Sequence, residues 1–123
     1  MTEHQAALVS KADRALATAR LTLDDGDVAA SVNRAYYACF YLAQAALLGA
    51  GEQPRTHSGT HNRFAFHFTR TGRVAKDTGR ILPHAAEARE RADYDFISVT
   101  DPAAASDLLR DAERFVAAVR ALL

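Results

Sequence analysis

RAYYACFYLAQAALL, residues 34–48, decides how the rest of the chain is read. After Arg34 no charge occurs until Glu52. The span nevertheless falls short of the ~20 apolar residues a bilayer needs, and it contains Gln44 and three tyrosines, so it is not read as a membrane segment. Tyr36, Tyr37 and Tyr41 stand in its first two turns, where a plain core helix would use Leu, Ile and Val. At about 100° per residue, seven steps return a helix to within ~20° of its start, so Arg34 and Tyr41 share one stripe with Tyr37 between them. Val32, Tyr36, Cys39, Phe40, Ala43 and Leu47 lie nearer the opposite stripe and read as core. An arginine heading an aromatic stripe points into a tyrosine-lined groove or across to another helix, and phenol hydroxyls give a half-buried face its polar handles. The purely structural alternative is an ion pair from Arg34 to Asp93 or Asp95 that pins two helices.

Working outward, helical periodicity dominates and no strand alternation is found. Residues 3–23 carry Ala7, Leu8, Ala15, Leu21 and Leu23 as a loose apolar stripe, with Thr2 and Gln5 placed as a capping box. Asp24, Asp25, Gly26 and Asp27 break that helix and offer N-cap carboxylates to the next, residues 28–50, which ends at Gly49 and Gly51 before Pro54. A third helix is predicted over 56–71, stopped by Gly72. A fourth is predicted over 76–95, where Pro83 either kinks it or marks its true start. Asp101 and Pro102 form an N-cap and first-turn signature that opens a last helix, on which Ala105, Leu108, Leu109, Ala112, Phe115, Val116, Val119 and Leu122 repeat at three and four. The expectation is one all-α domain over residues 1–123, an antiparallel up-and-down bundle of about five helices.

The chain has 123 residues and a formal net charge of zero, so global charge points to no nucleic-acid or membrane partner. Local charge does more. Between residues 31 and 80, seven lysines and arginines stand against Glu52 and Asp77, joined by three of the five histidines, while both flanks are acidic. That asymmetry suits an anionic ligand, or a solvated basic face. Cys39 is the only cysteine, and the opening MTEHQAALVSKADRA lacks the basic stub and apolar block of a secretory signal. A reducing cytoplasm is therefore the expected setting, with Cys39 a buried, inert thiol.

Two further clusters could carry chemistry. In THSGTHNRFAFH, residues 56–67, His57 and His61 are an i, i+4 pair on one helix face. A third ligand is missing, so no metal is expected. Beside Arg55 and Arg63 such a histidine could serve as general acid or base on a phosphodiester, or both could be solvent-facing polar residues at a helix start. In RERADYD, residues 89–95, Arg89 and Asp93 are spaced as a structural ion pair. There is no P-loop, GxGxxG, GxSxG or zinc-finger spacing, and no cofactor is expected.

Taken together, NRAYYACFYLAQAAL, PRTHSG, a Phe-containing helix ending in RTG, R-x-x-ADYD and an Ala-rich last helix resemble the small prokaryotic HEPN-domain proteins (higher eukaryotes and prokaryotes nucleotide-binding domain). The resemblance runs from about residue 10 to the end, and it implies an antiparallel helical bundle that dimerises through equivalent helices. Many HEPN domains are metal-independent RNases whose motif is an arginine followed, with four to six residues between, by a histidine. By that resemblance Arg34 takes the arginine position and Tyr41 replaces the histidine. Cleavage through a 2′-hydroxyl needs a base, an acid for the leaving oxygen and positive charge on the phosphorane. Arg34 offers the charge, whereas a tyrosine, with an ordinary pKa of about 10, is a poor base at neutral pH. His57, in the THSG element, is the candidate substitute. The resemblance further implies a partner, a minimal nucleotidyltransferase in a toxin–antitoxin-type pair, that modifies a tyrosine near the arginine. Tyr36, Tyr37 and Tyr41 are the candidates. Three functions stay open: a module that binds nucleotide, RNA or a protein partner through a surface including Tyr37, Arg55, His61 and Arg63; an active metal-independent RNase toxin with two Arg34 side chains at a dimer cleft and His57 or Tyr41 assisting; and a structural dimer without a ligand.

Overall fold

The computed structural model describes residues 1–95 and 101–123, and among these every regular element is helical. In chain order they are α1 (Glu3–Asp24), α2 (Val28–Gly49), α3 (His57–Phe64) continued by a π-helical turn (Ala65–Thr69), a single turn α4 (Lys76–Gly79), α5 (Ile81–Tyr94) and α6 (Pro102–Arg120).

Local chemistry sets most of the helix ends. Thr2 and Gln5 form the expected capping box: the Thr2 hydroxyl accepts from the Gln5 amide at 3.1 Å and the Gln5 side chain accepts from the Thr2 amide at 2.9 Å. Asp27 caps α2 by accepting from Ala30, and Asp101 caps α6 by accepting from Ala103, with Pro102 at the first helical position. The end of α2 is a Schellman motif. Gly51, at φ +80°, donates to Leu48 and the next amide, Glu52, donates to Leu47.

Helix α2 is the central element and packs against α1, α3, α5 and α6, which is why its sequence is apolar nearly all round. Its antiparallel contact with α1 is made of small residues: Ala12, Ala15 and Ala19 on α1 and Ala35 and Ala38 on α2 are all buried. Two buried hydrogen bonds hold that hairpin at its ends. The Gln5 amide nitrogen donates to the Ala45 carbonyl at 3.0 Å, and the Ser31 hydroxyl donates to the Ala19 carbonyl at 2.8 Å. Gln5 fits because Gly49 has no side chain; a Cβ there would stand 3.0 Å from the Gln5 nitrogen. The rest of the core brings Tyr36, Leu42 and Leu47 together with Phe64, Leu82, Leu109, Phe115 and Val119. No helix among the described residues is long and apolar enough to cross a membrane.

Three sequence expectations need correction. Ala7 and Leu21 of the α1 stripe face outward, Leu21 with 69% of its surface exposed, while Gln5, Val9, Ala12 and Ala19 are buried in their place. The third helix is not α-helical throughout, because Arg70 donates to the Ala65 carbonyl and widens the last turn. The fourth helix breaks at Arg80. In an unbroken α-helix the amide missing at Pro83 would have served the Gly79 carbonyl, and its ring would have struck that carbonyl. Starting α5 at Ile81 places Pro83 in a first turn, where no such bond is due.

The break also brings Gly79 against the π-helical turn. A Cβ on Gly79 would lie 2.5 Å from the Thr69 Oγ1 and 2.8 Å from its Cγ2. Gly79→Ala is therefore expected to lower the unfolding free energy by about 1–3 kcal/mol in urea denaturation. In a Thr69→Ala background the same change should cost less, and equal losses in both backgrounds would contradict the contact.

Candidate functional site

The site is built on the two stripes of α2 and completed by α3 and α5. On the inner stripe Tyr36 has no exposed surface. Its hydroxyl lies 2.7 Å from Nδ1 of His57 and 3.0 Å from Nε2 of His61. The two histidines are thus not simply solvent-facing residues at a helix start: the i, i+4 spacing that puts them on one face of α3 turns that face onto α2. His57 is an exposed residue whose ring stacks on Phe40 at 4.3 Å between centroids and meets Tyr37 edge to face at 5.8 Å.

From α5, Arg89 reaches over the same tyrosines, its guanidinium carbon 5.2 Å from the Tyr36 ring centre and 5.8 Å from that of Tyr37. It makes the expected pair with Asp93, at 3.1 Å. Its Nε is buried and has no hydrogen-bond partner among the described residues.

The proton count of this cluster is informative. A phenol has one hydrogen to give, so Tyr36 donates to one imidazole while the other donates its N–H to the phenol oxygen. When His57 is the donor through Nδ1, its Nε2 carries a lone pair and is a base. When Tyr36 donates to His57, Nε2 carries the proton and is a donor. Burial pushes the Tyr36 phenol up, so it keeps its proton. Both histidines are held below the ordinary value. For His57 the causes are burial and then Arg89; for His61 they are burial, then His57, then Arg89.

The outer stripe is separate in character. The Arg34 guanidinium lies over the Tyr37 ring at 5.0 Å and donates from Nε and Nη2 to the Asn33 side-chain oxygen at 3.1 and 2.9 Å. Of Asp93 and Asp95, the partners proposed from the sequence, neither makes an ion pair with it: Asp93 is held by Arg89, although it lines the same recess as Arg34. Tyr41 is half-buried beside Tyr37, with the Lys11 ammonium 4.8 Å from its ring centre. Arg34, Tyr37 and Tyr41 therefore form one face, and Tyr37 connects it to His57.

Other sequence candidates are dispersed. Arg63 bonds Glu52 at 2.7 Å and lies over Phe66 at 4.3 Å, and His67 bonds the same carboxylate, so Arg63 is drawn into a local triad away from the tyrosine stripe. Hydrogen bonds from Arg63 and His67 hold the Glu52 carboxyl down at about 2. Arg55 is exposed and unpaired among the described residues. Of the three candidate tyrosines, Tyr36 has no exposed surface, whereas Tyr37 and Tyr41 are half-buried. Cys39 is fully buried and its thiol is pushed up by burial. No described cluster of three His, Cys, Asp or Glu side chains is placed to hold a metal ion.

An antiparallel helical bundle with this aromatic and cationic core face defines a class that comparison with known proteins identifies. The HEPN domain family model matches residues 5–122, and the chain belongs to that family. A UPF0332 protein of Thermotoga maritima is 34% identical over 92% of this chain and 86% of its own length. A UPF0332 protein of Gloeobacter violaceus is 37% identical over 76% of this chain and 75% of its own. A Methanocaldococcus jannaschii relative that carries the name "Putative toxin" is 32% identical over 95% of this chain and 87% of its own.

The buried cluster makes a measurable claim. A histidine whose folded pKa is depressed binds fewer protons folded than unfolded. Its contribution to stability is complete above the unfolded value of about 6.5 and is lost as pH falls below it. By NMR titration, His57 and His61 are expected to titrate below that value and to move upward in Arg89→Gln. Titration of both at or above it in the unaltered protein would contradict the packing against Tyr36 and Arg89.

Proposed function

We propose that this chain is the HEPN member of a toxin–antitoxin-type pair with a minimal nucleotidyltransferase, acting as a dimeric module that binds nucleotide, RNA or a protein partner through the α2 face of Arg34, Tyr37 and Tyr41. The observation that carries the reading is the state of Arg34. A structural arginine this close to the core would be neutralised by a carboxylate. This one is oriented by the Asn33 amide oxygen and the Tyr37 ring and keeps its charge available. The name of the Methanocaldococcus relative supports the toxin assignment. Tyr37 and Tyr41, beside that charge, are the tyrosines a nucleotidyltransferase would modify.

A second reading, an active metal-independent RNase, is favoured by the histidine pair. A neutral imidazole at physiological pH is a competent base, and His57 is exposed next to the ring that carries Arg34. In that reaction Arg34 would stabilise the phosphorane, His57 would take the 2′-hydroxyl proton as the 2′-oxygen bonds to phosphorus, and the Tyr41 hydroxyl would give its proton to the leaving 5′-oxygen as the P–O bond breaks.

Incubation of the purified protein with RNA in EDTA, alongside Arg34→Ala, separates the two. The binding-module reading expects intact RNA. It also expects added mass on Tyr37 or Tyr41 in tandem mass spectra after coexpression with a minimal nucleotidyltransferase; a wholly unmodified tyrosine set would argue against that partner. Products with 2′,3′-cyclic phosphate ends, abolished in Arg34→Ala, would establish the RNase instead.

A further inference from the structure

We propose that Lys11 and Arg14 of α1 form, with Arg34 and Tyr41, a binding site for linked phosphoryl groups carrying a base: a nucleoside polyphosphate or a segment of single-stranded nucleic acid. The proposal deepens the reading of the Arg34 face as a ligand surface and rests on it.

The cleft lies between α1 and α2, holds about 280 Å³ and is lined by Lys11, Arg14, Ala15, Thr18, Arg34 and Tyr41. Lys11, Arg14 and Thr18 follow one another at three and four residues, which sets them on one edge of α1. The antiparallel hairpin turns that edge towards Arg34 and Tyr41. Three cations thus converge on a cavity whose lining contains no acid.

None of the three makes an ion pair with a described residue. The acid nearest in sequence, Asp13, is turned to the opposite side of α1, where it pairs with Arg120 of α6 at 3.2 Å. Further along α1, Arg20 is likewise paired, to Glu113 of α6 at 2.8 Å. Cations on the α6 side of the hairpin are compensated, and those on the cleft side are not. Gathering like charges without a counter-charge costs free energy, which an anion in the cleft would recover.

The chemistry of the lining narrows the anion. Three separate cations suit several phosphoryl groups better than a lone carboxylate, and the Thr18 hydroxyl adds a neutral donor. Tyr41 gives the cleft an aromatic side chain, and because the Lys11 ammonium lies over its ring at 4.8 Å, a base stacks there only as Lys11 turns to a phosphoryl group. A second recess of about 400 Å³ shares Thr18 and Arg34 with the first and continues past Thr22 and Asn33 to Asp93, so Arg34 stands at a junction. The Asp93 carboxylate suits the sugar or base of a ligand on that side and leaves the phosphoryl groups to the acid-free cleft.

The test is fluorescence polarisation of the full chain with two probes, a labelled single-stranded RNA and a base-labelled ATP, each competed with inorganic tripolyphosphate. The variants are Lys11→Gln/Arg14→Gln, Arg34→Ala, and Arg110→Gln/Arg114→Gln, which removes the same charge from exposed positions of α6. Binding of at least one probe is expected, weakened about tenfold in the α1 double variant and little changed in the α6 variant. If the RNA is the ligand, the α1 variant should also flatten the slope of log affinity against log salt by about 1.4, two phosphate contacts at ~0.7 each. Binding of the ATP probe alone assigns the site to a nucleotide.

The proposal is overturned if the α1 variant binds like the unaltered protein, if the α6 variant loses as much, or if neither probe binds. Loss in Arg34→Ala alone would leave the Arg34 surface standing without the α1 cations. Loss in the α1 variant alone would do the reverse.

Discussion

Burying Tyr36 obliges its hydroxyl to find partners inside the protein, because an unpartnered phenol oxygen in an apolar setting offsets much of what the burial of its ring returns. Two histidines of α3 answer that demand, and Arg89 of α5 covers the ring. One side chain of α2 therefore joins three helices, and much of the polar geometry follows from it. The face that His57 turns to Tyr36 is also the face that meets Tyr37. Arg89 in turn holds Asp93 in an ion pair.

The two α2 stripes consequently differ in kind. The inner one is a network in which the Tyr36 hydroxyl joins both histidines, while the buried Arg89 Nε has no hydrogen-bond partner among the described residues. The outer one keeps unspent charge beside aromatic rings, in clefts open to solvent. Tyr37 belongs to both, since it carries Arg34 on one side and touches His57 on the other.

What could be read from the sequence was local. Thr2, Asp27 and Asp101 act within three residues of where they stand, and Gly51 ends α2 through its own φ, so these boundaries were legible. The apolar run of α2 and the regular repeat of α6 announced the core. The wide turn after Phe64 was not legible, because inserting one residue into a single turn barely alters a periodic pattern. The site was half legible for the same reason. The i, i+4 spacing put His57 and His61 on one face of α3 and paired Arg89 with Asp93, but nothing local says that Tyr36 lies across from both. Lys11 and Arg14 carry no local signal, because their meaning depends on a helix that follows them in the chain.

The alanines between α1 and α2 have a mechanical consequence. Ala12, Ala15 and Ala19 face Ala35 and Ala38 in a seam closed at its ends by Gln5 and Ser31. Methyl groups are the smallest spacers that still fill such a seam, so the helices approach closely and the cations on their rims are drawn together. The seam is thus a gauge for the cleft above it: each larger side chain admitted there would wedge the hairpin apart and set Lys11 farther from Arg34, retuning the surface without altering any residue that lines it.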